Sequence, residues 1–246
     1  MKILPPRIHP PEQPIERHHQ PKMSGGRRGY RTYRDCLRWE FGFLCSFCLL
    51  HETDLAVYGV EGLGVMGVEH FLPISLDPDA ANEYENCFYA CRLCNGGRGA
   101  APVAGRAHRL LNPCSDAWGE HFEAAGDQLV PKQGDRDAEY TARTYDLNDP
   151  RKMRLRKLRR ELLSECLDLL VEGPRQVETL IGLSESRNDV EILKAAQDLQ
   201  RCIQLAAREA RRYAAIPVDA PQGCRCGRRD DPALPEWLDR QTIDTS

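Results

Sequence analysis

The sequence predicts an α+β chain: a core of short strands held together by a bound metal ion, followed by an antiparallel helical region. Three observations carry this. Cys45-Ser-Phe-Cys48 and Cys91-Arg-Leu-Cys94 are two CxxC knuckles. A knuckle turn points both of its sulfurs the same way, so two of them can bring four thiolates to one tetrahedral zinc ion. The insert between the knuckles is longer than a compact zinc finger needs and holds strand-like segments punctuated by glycine and proline, so it does more than close a loop. In the last third, Leu155, Leu158, Leu162, Cys166 and Leu169 recur at spacings of 3, 4, 4 and 3, and Ile192, Ala196, Leu199, Ile203, Ala206 and Ala210 make a second stripe. Two such stripes predict helices that pack on one another or on the core.

Composition sets ordinary bounds. The 246 residues are 41% hydrophobic and 29% charged, as in a soluble globular protein of one or two domains. No apolar run approaches the roughly 18 residues that a membrane span needs, and proline interrupts Met1-Lys-Ile-Leu-Pro-Pro too early for a secretory leader. Eleven cysteines, four of them best explained by metal, point to a cytoplasmic location with free thiols and no membrane partner. A net charge of −3 does not by itself indicate a nucleic-acid partner. The distribution of charge is more informative than the sum.

Residues 1–29 form a basic, proline-rich arm, expected to be disordered, with His18 and His19 at solvent rather than on a metal. The core domain spans 30–148, the helical region 149–215 and a tail 216–246. Tyr33, Cys36, Leu37, Trp39 and Phe41 recur at near-helical spacing, with Gly42 as the C-cap and Cys36 as a core thiol. Leu55–Val60 reads as a strand. Gly62-Leu-Gly-Val-Met-Gly67 matches the dinucleotide fingerprint G-x-G-x-x-G, but the β-like Val68-Glu-His-Phe-Leu-Pro73 follows, and the fingerprint works only where a helix begins at the glycines. A turn between two strands is the better account.

Packing of Trp118 and Phe122 explains the segment 110–122, with His121 the alternative as a site residue. Leu129–Pro131 and Ala142–Asn148 read as strands, Asn148-Asp-Pro150 as a turn into the first long helix, and Gly173-Pro174 as its end. That helix opens with the densely basic run Arg151–Arg160, in which Arg156, Lys157, Arg159 and Arg160 are expected to meet nucleic-acid phosphate. Cys224-Arg-Cys226 lacks further ligands in sequence.

The ordered set Cys45, Cys48, Glu69-His70, Pro73, Asn86, Cys91, Cys94, Asn95 and Arg98 resembles the HNH endonuclease family. Its members read CxxC, then Asp-His or Glu-His before proline, asparagine five residues ahead of a second CxxC, then Asn or His and a basic residue. The resemblance covers roughly residues 30–125. It implies a ββα-metal core that hydrolyses phosphodiester bonds, more readily of DNA, with structural Zn²⁺ on Cys45, Cys48, Cys91 and Cys94. It assigns the catalytic site to His70, Glu69, Asn86 and Asn95. His70 is the general base, Glu69 and Asn95 hold a catalytic Mg²⁺ or Mn²⁺, Asn86 steadies the histidine loop and Arg98 meets phosphate. The Glu-His form and Tyr30-Arg-Thr-Tyr33 are similar to HNH proteins of bacterial anti-phage systems such as Septu and some retron cassettes, which work beside an ATPase partner subunit. This chain has no G-x-x-x-x-G-K-[ST] loop, so any ATP chemistry belongs to that partner. The rival reading is a zinc-stabilised nucleic-acid-binding or adaptor module without cleavage.

Overall fold

The computed structural model describes residues 10–22, 26, 28–57, 66–105, 107–214, 224 and 226. The chain divides into two compact units, one of Arg7–Leu158 with Asp219–Asp231, the other of Met1–Pro6, Arg159–Val218 and Pro232–Ser246. Among the described residues it is a mixture of helices and two small antiparallel sheets, the α+β class expected.

In the first unit, helix α1 (Arg34–Glu40) ends where Gly42 turns left-handed at φ +56°. The Gly42 N–H donates to Trp39 O and the Phe43 N–H to Arg38 O, the paired bonds that close a helix at a C-terminal glycine. The first knuckle follows at once. Its Ser46 N–H donates to Tyr89 O at 2.8 Å, which ties it to strand β2 (Cys87–Ala90). Helix α2 (Glu52–Val57) occupies the start of the segment expected as a strand, and the rest of that expectation, with most of the glycine-rich stretch, lies outside the described residues. Glu52 explains the helix: its carboxylate takes Arg38 and the Tyr89 hydroxyl, tertiary contacts that outweigh local β preference.

Strand β1 (Gly67–His70) pairs antiparallel with β2, setting Glu69 opposite Phe88 and His70 opposite Cys87. Helix α3 (Arg92–Arg98) starts from Cys91 and lies against β1. Helix α4 (Trp118–His121) leads into a second hairpin, β3 (Phe122–Ala125) and β4 (Gln128–Pro131), of which the sequence indicated only the second strand. Ala142–Thr144 belong to helix α5 (Arg136–Thr144), not to a strand. The Asp135 side chain caps it by accepting from Ala138 N at 2.8 Å, and the buried positions Ala138, Thr141 and Tyr145 recur at helical spacing.

The arm does not run free where it is described. Ile15 N–H donates to Pro113 O at 2.8 Å, and Arg17 donates to Cys87 O at 2.7 Å. The same guanidinium lies over the rings of Phe41, Tyr84 and Phe88 at 5.0, 5.1 and 4.8 Å. Glu40, at the end of α1, accepts from His19 N and Tyr84 Oη and pairs with Arg17. A basic, proline-rich composition hid an internal cation.

Helix α6 (Pro150–Arg187) begins in the first unit and continues into the second, where α7 (Val190–Ala214) returns along it. Leu163, Cys166 and Leu170 pack on Ala206 and Ala210. No helix among the described residues is long and apolar enough to cross a membrane. Gly173-Pro174 does not end α6: Pro174 sits inside it. The real turn is at Asn188, whose φ is +51°, and at Asp189, whose carboxylate accepts from Glu191 N at 2.9 Å. Gly173 lets α7 approach closely, since a Cβ there would stand 2.7 Å from Ile203 Cδ1. Packing against α7 offsets the hydrogen bond that proline forfeits.

Pro174 is exposed. Pro174→Ala is therefore expected to raise the stability of the helical unit by about 1–3 kcal/mol, read as a higher midpoint in thermal unfolding of the full chain. A neutral or lower midpoint would mean that the helix breaks there.

Candidate functional site

Four thiols meet at the centre of the first unit. The Sγ atoms of Cys45, Cys48, Cys91 and Cys94 lie within 4.8 Å of one another, all four residues are fully buried, and none is in a disulfide. Zinc–sulfur bonds near 2.3 Å place tetrahedral sulfurs about 3.8 Å apart. Cys48 Sγ and Cys91 Sγ stand at 3.6 Å, so the cluster could hold a metal ion such as zinc with little adjustment. Local geometry explains why the sulfurs converge. Leu49, at φ +59°, turns the first knuckle back so that its N–H meets Cys45 O, and Cys91 caps α3 while the Asn95 N–H donates to its carbonyl.

Two cations of the basic run serve this centre. Lys152 is buried, and its ammonium donates to Tyr145 O and Asp146 O. Burial pulls its pKa down, the four thiolates pull it up, and the net displacement is upward. Arg156 is 0% exposed and donates to Asp127 O at 2.8 Å, Cys48 O at 3.1 Å and Leu147 O at 3.0 Å. Its guanidinium therefore braces the first knuckle, where sequence reasoning had placed it on phosphate. Arg159 is also buried, Arg160 is half-buried and Lys157 is exposed.

The strand pair holds the residues expected to carry chemistry. Glu69 and His70 follow strand alternation and meet different neighbours. Glu69, 7% exposed, reaches α3, where Arg98 Nη1 lies 3.2 Å from its Oε1. Burial pushes its carboxyl up to about 7 against the pull of that guanidinium. His70, 8% exposed, faces the other way: its Nε2 lies 2.9 Å from Ala81 O, and the Tyr30 ring stands edge-on at 4.5 Å. A carbonyl only accepts, so Nε2 carries the proton and the neutral ring's lone pair sits on Nδ1. Burial lowers the imidazole's pKa below its ordinary value and favours this neutral form.

Asn86 fixes the loop that returns Ala81 to the histidine. Its Oδ1 accepts from Leu72 N at 2.6 Å, and its Nδ2 donates to Leu72 O and Ala80 O. Asn95 Nδ2 donates to Val68 O at 3.0 Å, joining α3 to β1. Arg98, expected on phosphate, is 4% exposed and also donates to His70 O and Phe71 O. Here it locks β1 to α3. Glu69 and Asn95 supply oxygen donors suited to a hard divalent cation. The Arg98 pairing already balances the carboxylate, so such an ion would compete with a guanidinium. His121 lies elsewhere, paired with Asp135 at 2.7 Å.

A second cluster escaped the sequence reading. His19, Cys36, Cys224 and Cys226 bring one donor atom each within 4.8 Å of the others and could also hold a metal ion. The signal was Cys224-Arg-Cys226 itself, whose missing partners lie in an arm taken for a tail and in a helix whose cysteine looked like core.

Comparison with family models, with curated proteins and with solved structures finds no match to this chain, so its residues alone carry the tests. Cys45→Ser or Cys94→Ser is expected to lose metal and unfold the first unit, because zinc binding in such sites is worth about 10 kcal/mol or more of folding energy. Elemental analysis beside circular dichroism checks both. Arg156→Met strips donors from the buried carbonyls of Cys48 and Leu147 and the part-buried carbonyl of Asp127, and is expected to cost on the order of 3 kcal/mol in denaturant unfolding. A loss confined to nucleic-acid affinity, with stability intact, would return Arg156 to the surface.

Proposed function

We propose that this chain is a metal-dependent endonuclease of the HNH type, with a structural zinc on Cys45, Cys48, Cys91 and Cys94 and a β1–β2–α3 core as its ββα-metal site. The observation that carries the reading is the tautomer forced on His70. Ala81 O holds the proton on Nε2 and leaves Nδ1 as the basic nitrogen, on a strand braced by Asn86 and α3. A general base needs this combination of fixed ring, neutral form and available lone pair.

In the proposed reaction Nδ1 takes a proton from water as the water oxygen forms a bond to phosphorus. The bond from phosphorus to the 3′-oxygen breaks, and the leaving oxygen is protonated by solvent, giving a 5′-phosphate and a 3′-hydroxyl. Mg²⁺ or Mn²⁺ on Glu69 and Asn95 would offset charge on the phosphate and the leaving oxygen. The exposed Lys157 on α6 supplies sequence-independent attraction for the backbone. The ATPase partner implied by the resemblance to anti-phage HNH proteins belongs to the same proposal.

One observation favours a second reading, a binding or adaptor module that does not cut. The Glu69–Arg98 ion pair occupies the carboxylate proposed for the catalytic ion. Incubation of the purified chain with DNA and RNA, with and without Mg²⁺ or Mn²⁺, separates the two. Binding with no cleavage under any metal would leave the adaptor.

His70→Ala is expected to lower cleavage about 100- to 10,000-fold while zinc content and nucleic-acid binding persist. Glu69→Gln and Asn95→Ala are expected to regain part of their activity at high Mn²⁺, because a weakened ion site still fills by mass action, whereas His70→Ala gains nothing. Normal cleavage by His70→Ala sinks the assignment of the base. Lys157→Gln is expected to reduce the slope of log affinity against log salt by about 0.9 on duplex DNA. An unchanged slope makes that position solvated surface.

A further inference from the structure

The second cluster draws its donors from three distant stretches. His19 belongs to the arm and Cys36 to α1, and Cys224 lies 205 residues beyond His19. No local turn explains their meeting, unlike the knuckles. His19 is 5% exposed, and its Nδ1 faces Cys224 Sγ at 3.0 Å and Cys226 Sγ at 3.2 Å. Thiols are weak hydrogen-bond partners, so gathering two buried thiols and the half-buried Cys226 around one imidazole nitrogen yields little unless something binds all four. We propose that His19, Cys36, Cys224 and Cys226 form a second zinc site, a Cys₃His centre that clamps the arm and the Cys224–Cys226 stretch onto α1.

The donor chemistry fits. Three thiolates and one imidazole form a common closed structural zinc set. Tetrahedral bonds near 2.3 Å to sulfur and 2.0 Å to nitrogen separate the donors by roughly 3.5–3.8 Å. All four donor atoms lie within 4.8 Å of one another. The closest pair, Cys224 Sγ and Cys226 Sγ at 2.6 Å, would open by about 1 Å around an ion. Cys36 and Glu40 stand one turn apart on α1, and they hold His19 at two points: Glu40 Oε1 accepts its backbone N–H at 2.8 Å while Cys36 shares the metal cluster with its ring.

The clamp has a structural consequence. His19 and Cys36 bracket the segment that carries Tyr30 and Tyr33. Tyr30 N–H donates to Asn82 Oδ1, Tyr33 Oη donates to Asn82 O, and the Tyr30 ring meets His70. An ion joining the two ends closes this segment into a loop and reduces its freedom when unfolded, so metal binding and docking of the arm are linked.

The test counts metal in the full chain purified from zinc-supplemented culture, with free thiols titrated after denaturation. The unmodified protein is expected to carry two zinc ions. The Cys224→Ser/Cys226→Ser variant is expected to carry one, held by Cys45, Cys48, Cys91 and Cys94, and to become susceptible to trypsin at Arg17 and Lys22, as is the unmodified protein once a chelator has removed its zinc from this site. His19→Ala is expected to lose one ion and His19→Cys, which restores a fourth donor, to keep two. That pair distinguishes lost ligation from misfolding. One zinc ion in the unmodified protein, an unchanged count in the double variant, or a Cys224–Cys226 disulfide shown by two missing thiols would each overturn the proposal.

Discussion

Four buried thiols within reach of one another set the terms for the rest of the first unit. Thiolates in a low-dielectric interior are costly unless positive charge accompanies them. One zinc ion on four thiolates would still leave a net negative centre, and the chain places Lys152 and Arg156 beside the four sulfurs. This accounts for the density of the basic run at the start of α6. Part of it is internal counter-charge, directed at Tyr145, Asp146, Leu147 and Cys48 carbonyls, and part faces solvent. The first turns of α6 are thereby fastened to the knuckle rather than merely following it in sequence.

The same centre governs the strand pair. Cys91 is at once a sulfur donor and the residue from which α3 starts, so the second knuckle fixes where Asn95 and Arg98 meet β1. The first knuckle is hydrogen-bonded to β2 through Ser46. A side chain whose chemistry depends on tenths of an ångström is best held by rigid elements with their own supporting bonds. His70 sits on such a strand, and the loop that returns Ala81 to its ring is pinned by Asn86 at three backbone groups.

What the sequence disclosed was what local rules determine. Two CxxC turns, the glycine after α1, the apolar stripes of α6 and α7, and the offset of Asn86 from Cys91 each depend on residues within a few positions of one another. What it concealed depends on partners far along the chain. Glu52 makes Leu55–Val57 helical through Arg38 and Tyr89, α7 carries α6 past Pro174, and three aromatic rings receive Arg17 from an arm that composition describes as disordered. Burial of Arg98 and Arg156 was equally hidden, since guanidinium groups are usually exposed and only their carbonyl partners reveal an internal role. The His19, Cys36, Cys224 and Cys226 group is the extreme case: its members are ordinary residues until the fold brings them together.

Glu69 poses the sharpest constraint on function. Burial pushes its carboxyl up to about 7 even with the Arg98 guanidinium pulling it down, so the charged form depends on a cation beside it. Arg98 is that cation here, and it contributes a second service by bonding the carbonyls of His70 and Phe71. A divalent ion at Glu69 and a guanidinium at the same oxygen are alternatives on electrostatic grounds. Two cations there would repel one another unless further negative charge arrived. On the proposed function a nucleic-acid phosphate would bring that charge. On the proposed nuclease reading, an arginine at this position, which the HNH pattern usually fills with lysine, would couple two events: the carboxylate would become available to a metal ion when a phosphate satisfied Arg98. On that reading the Glu69–Arg98 ion pair would be the resting arrangement, closed to metal until substrate arrived. The ion pair and the proposed HNH-type site are then compatible, because each would be a different occupancy of the same buried carboxylate.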